Sequence, residues 1–421
     1  MPAWWTARPS PPPQTPSSAP PRSCRSCRKF FILTEAEPLA AVLLYLRVQY
    51  FLPPPESPNM APFGNFFLPG PTEVTDDILT AQARPMIGHR GKGMEELLAR
   101  IQPRLQRVFR TERPVYISSS SAPGLMEGAL RNGARQRVLS LVNGAFSDRF
   151  HKISVACGLE TDVLEAEWGE VHTADRLADA LKGGRYDAVT VVHSETSTGA
   201  LNPIAELAKV THAAGDVVLL VDSVTGVAGQ PVESDAWALD FVLTGSQKAF
   251  ALPPGLAFGV AQPNILERAT AKGGRGVYFD FLEFEKFTLK NQTPNTPAVS
   301  LLYALDKQVE RIDAETITAR WARHEAMARR TWAWADEMTA RGLPVSVLAP
   351  EGYRSWTVTC LTVPAGKKGS EINAAMKAKG ITISAGYGKL KDATIRIGHM
   401  GEHTLPELER VLTALEEVLA S

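Results

Sequence analysis

An excess of charge of either sign is what this sequence most lacks: 45 lysines and arginines offset 45 aspartates and glutamates over 421 residues. A neutral chain has no overall field to gather nucleic acid or an anionic membrane, so neither partner is expected and any anion site must be local. Cysteine is scarce too. The four present, Cys24, Cys27, Cys157 and Cys360, are too few and too scattered for a disulfide framework, which points to a reducing, cytoplasmic setting. A membrane-length hydrophobic run is also missing. The apolar stretch from about Pro38 to Leu52 is short and is interrupted by Arg47, and with the basic residues before it only imitates a signal peptide.

What is present falls into unlike parts. Residues 1–59 begin Pro- and Ser-rich (RPSPPPQTPSSAPP) and continue with a basic stretch (RSCRSCRKF), a composition that buries too little surface to offset its ordering entropy, so disorder is expected. Cys24 and Cys27 form a CxxC pair, but with no second pair nearby neither a zinc site nor a redox role is expected, and no metal is assigned. Met60 opens a sequence of globular character, MAPFGNFFLPGPTEV, and an upstream mis-start of translation is one hypothesis for the residues before it. The expected organisation is a large domain over residues 60–315 with an N-terminal arm, then a small C-terminal domain over 316–421.

From about Arg113 to Gln262, short β-branched runs alternate with amphipathic stretches. VYISSS, RVLSLVN, AVTVVHS, VVLLVDSV, FVLTGS and GLAFGVAQ read as strands, mostly continuous apolar runs of the kind buried on both faces of a parallel sheet. GLMEGALRNGA, FSDRFHKISVACG and PIAELAKVTHAAG read as the helices between them. The fold class is therefore α/β with a mostly parallel central sheet, whose ligand belongs at the carboxyl ends of the strands. Residues from about Thr296 to Arg341 read as strongly helical. Strand candidates RSWTVTCLTV, ITISAG and ATIRIGH and a last helix, LPELERVLTALEEVLA, complete a smaller α+β domain.

Two of these strands run into an ionisable residue: VVLLVDSV ends at Asp222, and FVLT leads through Gly245, Ser246 and Gln247 to Lys248. A carboxylate at a strand's carboxyl end is partly desolvated and needs a cationic partner, and a lysine there loses solvation and becomes a better nucleophile. Those are the demands of pyridoxal phosphate: an amine to form a Schiff base and an acid to keep the ring nitrogen protonated, so that the ring accepts electrons. Taken singly, Asp222 reads equally well as a turn cap and Lys248 as a surface residue.

Together with their surroundings the two residues say more. LPGPTEV (68–74), MIGHRGK (86–92), HSETSTGALNPI (193–204), LLVDSV (219–224), TGSQKAFALPPGLAF (244–258), QTPNTP (292–297) and RIGHMG (396–401) resemble, in family order, the class V aminotransferases of the alanine–glyoxylate, serine–pyruvate and archaeal broad-specificity branch. The resemblance runs from about Phe66 to the end of the chain. It implies the fold type I architecture of pyridoxal-phosphate enzymes and an aminotransferase active as a homodimer with shared sites.

Carried onto this sequence, the resemblance makes Lys248 the Schiff-base residue and Asp222 the partner of the ring nitrogen. It nominates Ser121, Ala122 and Pro123, in SSSSAPG, for the cofactor phosphate at a helix N-terminus. Pro123 has no N–H to give, so only packing is left to it. Phe146 occupies the place of the ring-stacking aromatic, Thr196 that of a hydroxyl on the cofactor's phenolic oxygen, Val224 lies under the ring, and Gln247 matches a neighbour of the phosphate or the ring. Thr293 and Thr296 would cross to the phosphate of the other subunit, with Thr296 as a helix N-cap the plainer reading. Arg396, flanked by apolar residues in a strand, suits the substrate's α-carboxylate, with a structural ion pair as its alternative.

The implied reaction is a ping-pong transfer of the amino group from a small donor, alanine or serine, to a 2-oxo acid such as glyoxylate or pyruvate. MIGHRGK also resembles phosphoserine aminotransferases, which would make His89 and Arg90 an anion pocket for a substrate phosphate, and a broad specificity is a further alternative. A cysteine desulfurase is disfavoured because Gln247 precedes the lysine and Cys360 lies in an apolar strand pattern. His193 and Glu195 alone have no further ligand spacing for metal chemistry, and His399 receives no role.

Overall fold

The computed structural model describes residues 63–421; the expectations for residues 1–59, with Cys24 and Cys27, lie outside the described residues. The main sheet has seven strands: β1 (Tyr116–Ser118), β2 (Arg137–Val142), β3 (Glu160–Glu165), β4 (Ala188–Val192), β7 (Val218–Asp222), β8 (Phe241–Gly245) and β9 (Ala257–Ala261). A short hairpin of β5 (Ser194–Glu195) and β6 (Ala200–Leu201) stands apart from it. The order is β1-β9-β8-β7-β4-β2-β3. β3, β2, β4, β7 and β8 pair parallel, and β9 runs against both β8 and β1.

The apolar runs explain the sheet. β4, β7, β8 and β9 are buried along their whole lengths, because helices cover both faces. In β7, Leu219 and Val221 join the core cluster on one face while Val218 and Leu220 join the cluster on the other, as the period of two requires. β3 is a strand that the sequence expectation omitted. Its residues ETDVLE are exposed or half-buried, and it pairs only with β2, so an edge position replaces the apolar run with charges.

A three-stranded sheet, β10 (Val358–Thr362), β12 (Thr394–Gly398) and β11 (Ser384–Ala385), has the order β10-β12-β11. Its core of Ile372, Ile397, Leu412 and Trp334 also takes in Phe67 from the start of the described chain. The helical stretch expected from Thr296 to Arg341 is two helices, Val299–Glu315 and Ile317–Ala340. They divide at Thr316, whose φ is 71° and whose hydroxyl accepts from Ala319 N–H at 3.3 Å. The first begins later than expected, with Ala298 rather than Thr296 at its N-cap; Pro297 lies between them, and the Ala298 N–H donates to Ser119 Oγ at 2.9 Å. Among the described residues, no helix is long and apolar enough to cross a membrane.

Candidate active site

The parallel strands β4, β7 and β8 lie side by side, with Val192 opposite Asp222 and Asp222 opposite Leu243. Their carboxyl ends share one edge, where an α/β sheet leaves a crevice. Asp222, Lys248, Phe146, Thr196, Val224 and Gln247 are among the walls of that crevice. Ala122 and Pro123, at the start of the helix Ala122–Gly133, close another side. Eight of the residues nominated from sequence thus meet in one cleft.

Asp222 is buried, and burial raises its carboxyl to a pKa of about 7, against the pull of the Val224 N–H, Lys248 and Arg149. Its Oδ1 accepts from that N–H at 2.8 Å. Among the described residues no cationic side chain lies within 4 Å of it. Burial likewise lowers the Lys248 amine to about 8, helped by the charge of Arg396 and opposed by Asp222 and Glu195. The Lys248 amine donates to Pro69 O and lies 5.9 Å from the centre of the Phe146 ring. Its main chain is fixed as well: Thr72 Oγ1 donates to Lys248 O at 3.0 Å, and Thr72 N–H to Gln247 O at 3.0 Å.

Phe146 sits in the first turn of the helix Ala145–Ala156. Glu195, fully buried, holds that helix end, accepting from Ser147 N–H at 2.9 Å and from the hydroxyls of Ser147 and Ser197 at 3.0 and 2.6 Å. A carboxylate on free helix-end amides is a stable pairing, and it explains Glu195 without chemistry. His193 faces Ser223 Oγ at 2.9 Å, and burial lowers its pKa to about 3. Thr196 Oγ1 lies 2.5 Å from Thr225 Oγ1.

Arg396 arrives from β12 and is nearly buried. Its Nε–H donates to Ala385 O at 3.2 Å, Nη1 to Thr196 O at 3.2 Å and Nη2 to Ser384 Oγ at 2.9 Å. Five guanidinium N–H groups less these three leaves two, one on each terminal nitrogen. No carboxylate lies within 4 Å among the described residues, so the structural ion pair weighed as its alternative does not form within the described chain.

Other nominated residues lie elsewhere. Ser121 is the N-cap of the helix Ala122–Gly133 and is exposed. Thr293 and Thr296 line a separate recess with Ser118, Ser119 and Tyr278. Arg90 donates to Thr293 O at 2.6 Å and Pro294 O at 2.9 Å, with its guanidinium 4.8 Å from the Phe287 ring centre; the neighbouring His89 is half-buried. His399 bridges Thr359 Oγ1 at 2.8 Å and Trp356 O at 3.0 Å, a role in strand packing. Cys360 is buried, and burial pushes its thiol up to about 11, which suppresses the thiolate.

Sequence reasoning passed over Arg149, Met126, Ser194 and Thr225, all walls of the cleft. Ser194 sits in the quoted HSETSTGALNPI motif, and Arg149 follows Phe146 by three positions; its guanidinium lies 5.3 Å from the centre of that ring. Gly70 was also passed over, although it sits in the quoted LPGPTEV motif.

A buried lysine, a buried carboxyl and an aromatic ring around one cleft, on a mostly parallel sheet with a smaller sheet beside it, define an enzyme of the fold type I class. The Aminotransferase class-V family profile matches residues 135–398, and the chain belongs to that family. It is 36% identical to an uncharacterized aminotransferase of Methanocaldococcus jannaschii, over 83% of this chain and 92% of that protein. It is 32% identical to the L-aspartate–glyoxylate aminotransferase of Paracoccus denitrificans, over 80% of this chain and 86% of that protein. The structure of alanine–glyoxylate aminotransferase from Nostoc sp. superposes with a TM-score of 0.80 at 26% identity, over 89% of this chain and 99% of that one. The protein is therefore an aminotransferase, with amino acids and 2-oxo acids as its substrates.

The family implies pyridoxal phosphate, and the cleft suits it. A buried carboxyl with no cation in contact is the partner a protonated ring nitrogen needs, and Phe146 offers a face for the ring.

Proposed function

We propose that the protein carries pyridoxal phosphate on Lys248 and transfers the amino group of alanine or serine to glyoxylate or pyruvate in a ping-pong cycle. One observation carries this reading: Lys248 and Asp222, both buried, face one cleft beneath Phe146. When bound, the cofactor's cationic ring takes up the electrons left at the substrate Cα as its proton departs. Asp222 holds the proton on the ring nitrogen. Lys248 Nζ, with its pKa lowered to about 8, would be the base that takes the proton from Cα and holds it for return. The two spare N–H groups of Arg396 suit the substrate carboxylate. Thr196 and Gln247 would border the ring, Val224 would lie under it, and Ala122 and Pro123, with Ser121 as the helix N-cap, would hold the phosphate end.

A small neutral donor is favoured over phosphoserine by the RIGHMG motif (396–401), which resembles the alanine–glyoxylate branch. The exposed side chains of Val277 and Leu289, both shortly before the Thr293–Thr296 segment in sequence, support a homodimer in which that segment completes the partner's site. A cytoplasmic location follows from the cysteine usage.

The test is Lys248→Ala, which should abolish the visible absorbance of the lysine-bound cofactor and lower turnover by about 10²–10⁴-fold or more. Retained absorbance or turnover would refute the assignment. A panel of alanine, serine, phosphoserine, aspartate and glutamate against glyoxylate, pyruvate and 2-oxoglutarate then tests the substrates, and preference for phosphoserine would overturn the donor reading.

A further inference from the structure

We propose that Tyr387 is a specificity-determining residue whose ring limits the length of the side chain on the amino donor; this rests on the reading of Arg396 as the carboxylate site. Tyr387 lies in the turn between β11 and β12, the hairpin that also carries Arg396 and its partner Ser384. Its ring centre is 5.4 Å from the Arg396 guanidinium carbon and 5.5 Å from the Phe146 ring centre. An amino acid held at Arg396 by its carboxylate and reaching Lys248 with its nitrogen has one group left to direct. The side chain leaves Cα in the space between carboxylate and stacking ring, and Tyr387 borders that space on both counts.

A wall must also resist being pushed aside, and this turn is braced. Gly386 N–H donates to Thr394 O at 2.7 Å, and Leu390 N–H donates to Tyr387 O at 3.0 Å. A Cβ on Gly386 would collide with Leu390 O, so the turn is wound too tightly for any other residue there. Beyond Tyr387, the turn rests on Trp168: Lys389 Nζ lies 4.9 Å from its ring centre, and a Cβ on Gly388 would meet its Cη2 at 3.3 Å. Trp168 follows β3 of the main sheet, so the turn is propped from the large sheet while its root is in the small one. The Tyr387 hydroxyl has no hydrogen bond among the described residues, which leaves the ring as the working part.

The test uses the cofactor-loaded enzyme and its Tyr387→Ala and Tyr387→Phe variants with two readouts. The first is kcat/KM for alanine, 2-aminobutyrate, norvaline and norleucine against glyoxylate. The second is calorimetric titration with acetate, butyrate and hexanoate, which reports carboxylate binding without turnover. Each methylene in or out of an apolar pocket changes discrimination by about 10-fold or more. Tyr387→Ala should therefore raise the 2-aminobutyrate-to-alanine ratio by about that factor and shift carboxylate affinity towards hexanoate. Tyr387→Phe should keep the wild-type order in both. An unchanged ratio and titration order in a folded Tyr387→Ala enzyme would overturn the proposal, as would a Phe variant that behaves like the Ala one. If no donor in the panel turns over while Ala still shifts the titration, the donor reading fails and the role of Tyr387 stands.

Discussion

Gly70 lies against Lys248 so closely that a Cβ on Gly70 would stand 2.6 Å from both Cε and Nζ of the lysine. Its φ of +109° is in the region that side chains rarely adopt. The glycine therefore lets the main chain of Pro69 and Gly70 lie over the amine, where Pro69 O receives its hydrogen bond. This gives a first prediction. Gly70→Ala adds backbone strain of about 1–3 kcal/mol and displaces Nζ, and a misplacement of about 1 Å costs on the order of 10²-fold in rate. Circular dichroism should remain native while kcat falls and the visible cofactor absorbance weakens; a variant with wild-type kcat would show that the contact does not position the amine.

How much of this was legible in the sequence differs between residues for physical reasons. β7 and β8 could be read because both faces are covered, which forces an unbroken apolar run ending at the chemistry. β3 could not be, since an edge strand with ETDVLE needs no such run. The division at Thr316 was hidden because no glycine or proline marks it; a threonine with positive φ makes the break and caps the next helix with its own hydroxyl. Asp222, Lys248 and Phe146 stand where strands and helices end, so motif and topology agreed on them. Gly70 and Tyr387 act through contacts with residues far away in sequence, and nothing local foretells such a contact. Arg90 was read from its motif as an alternative anion contact, and the carbonyls of Thr293 and Pro294, which take two of its N–H groups, are far from it in sequence.

The titration of Asp222 gives a second prediction. Its folded pKa, about 7, is above its unfolded one, so its contribution to stability is fully present at low pH and is lost as pH rises through about 7. Lys248, lowered to about 8, behaves oppositely and loses its contribution as pH falls through about 8. Cofactor-free protein should be least favoured by this pair between these values, where both groups are charged and buried. Asp222→Asn should then raise the melting temperature of cofactor-free protein more at pH 8 than at pH 5, where the wild-type carboxyl is already neutral. An equal effect at both pH values would mean the carboxyl is not held protonated by burial.

Arg396→Lys tests the fork that its two spare N–H groups make. A lysine keeps the positive charge but cannot give two parallel hydrogen bonds. Losing one charge-assisted hydrogen bond of about 1.5–3 kcal/mol corresponds to a KM for the amino acid that is higher by roughly 10- to 100-fold. The reaction with a simple amine that lacks the carboxylate should change far less. Equal losses for both substrates would place the role of Arg396 in the fold rather than in recognition.

The last prediction concerns a buried ionic cluster behind the lysine. Arg320 is fully buried and donates to Glu315 at 2.9 Å, to Glu402 at 2.8 Å and to Ala249 O at 2.8 Å, next in sequence to Lys248. Gln308 donates to the same Glu402 at 2.6 Å. Burial pushes the Glu402 carboxyl up, but Arg320 and its other partners outweigh this and bring it down to about 2. A carboxylate lowered in this way stabilises the fold above about pH 4.5 and loses that contribution as pH falls towards 2. Arg320→Met takes the cation from the buried Glu402, leaving it only Gln308, while Glu315 keeps Arg323 at 2.7 Å; it should destabilise the protein by about 3–5 kcal/mol. Adding Glu402→Gln should recover part of that loss and flatten the stability profile on the acid side, both measurable by denaturant unfolding from pH 3 to pH 7. Strict additivity of the two substitutions would mean that Arg320 and Glu402 are neighbours without being partners.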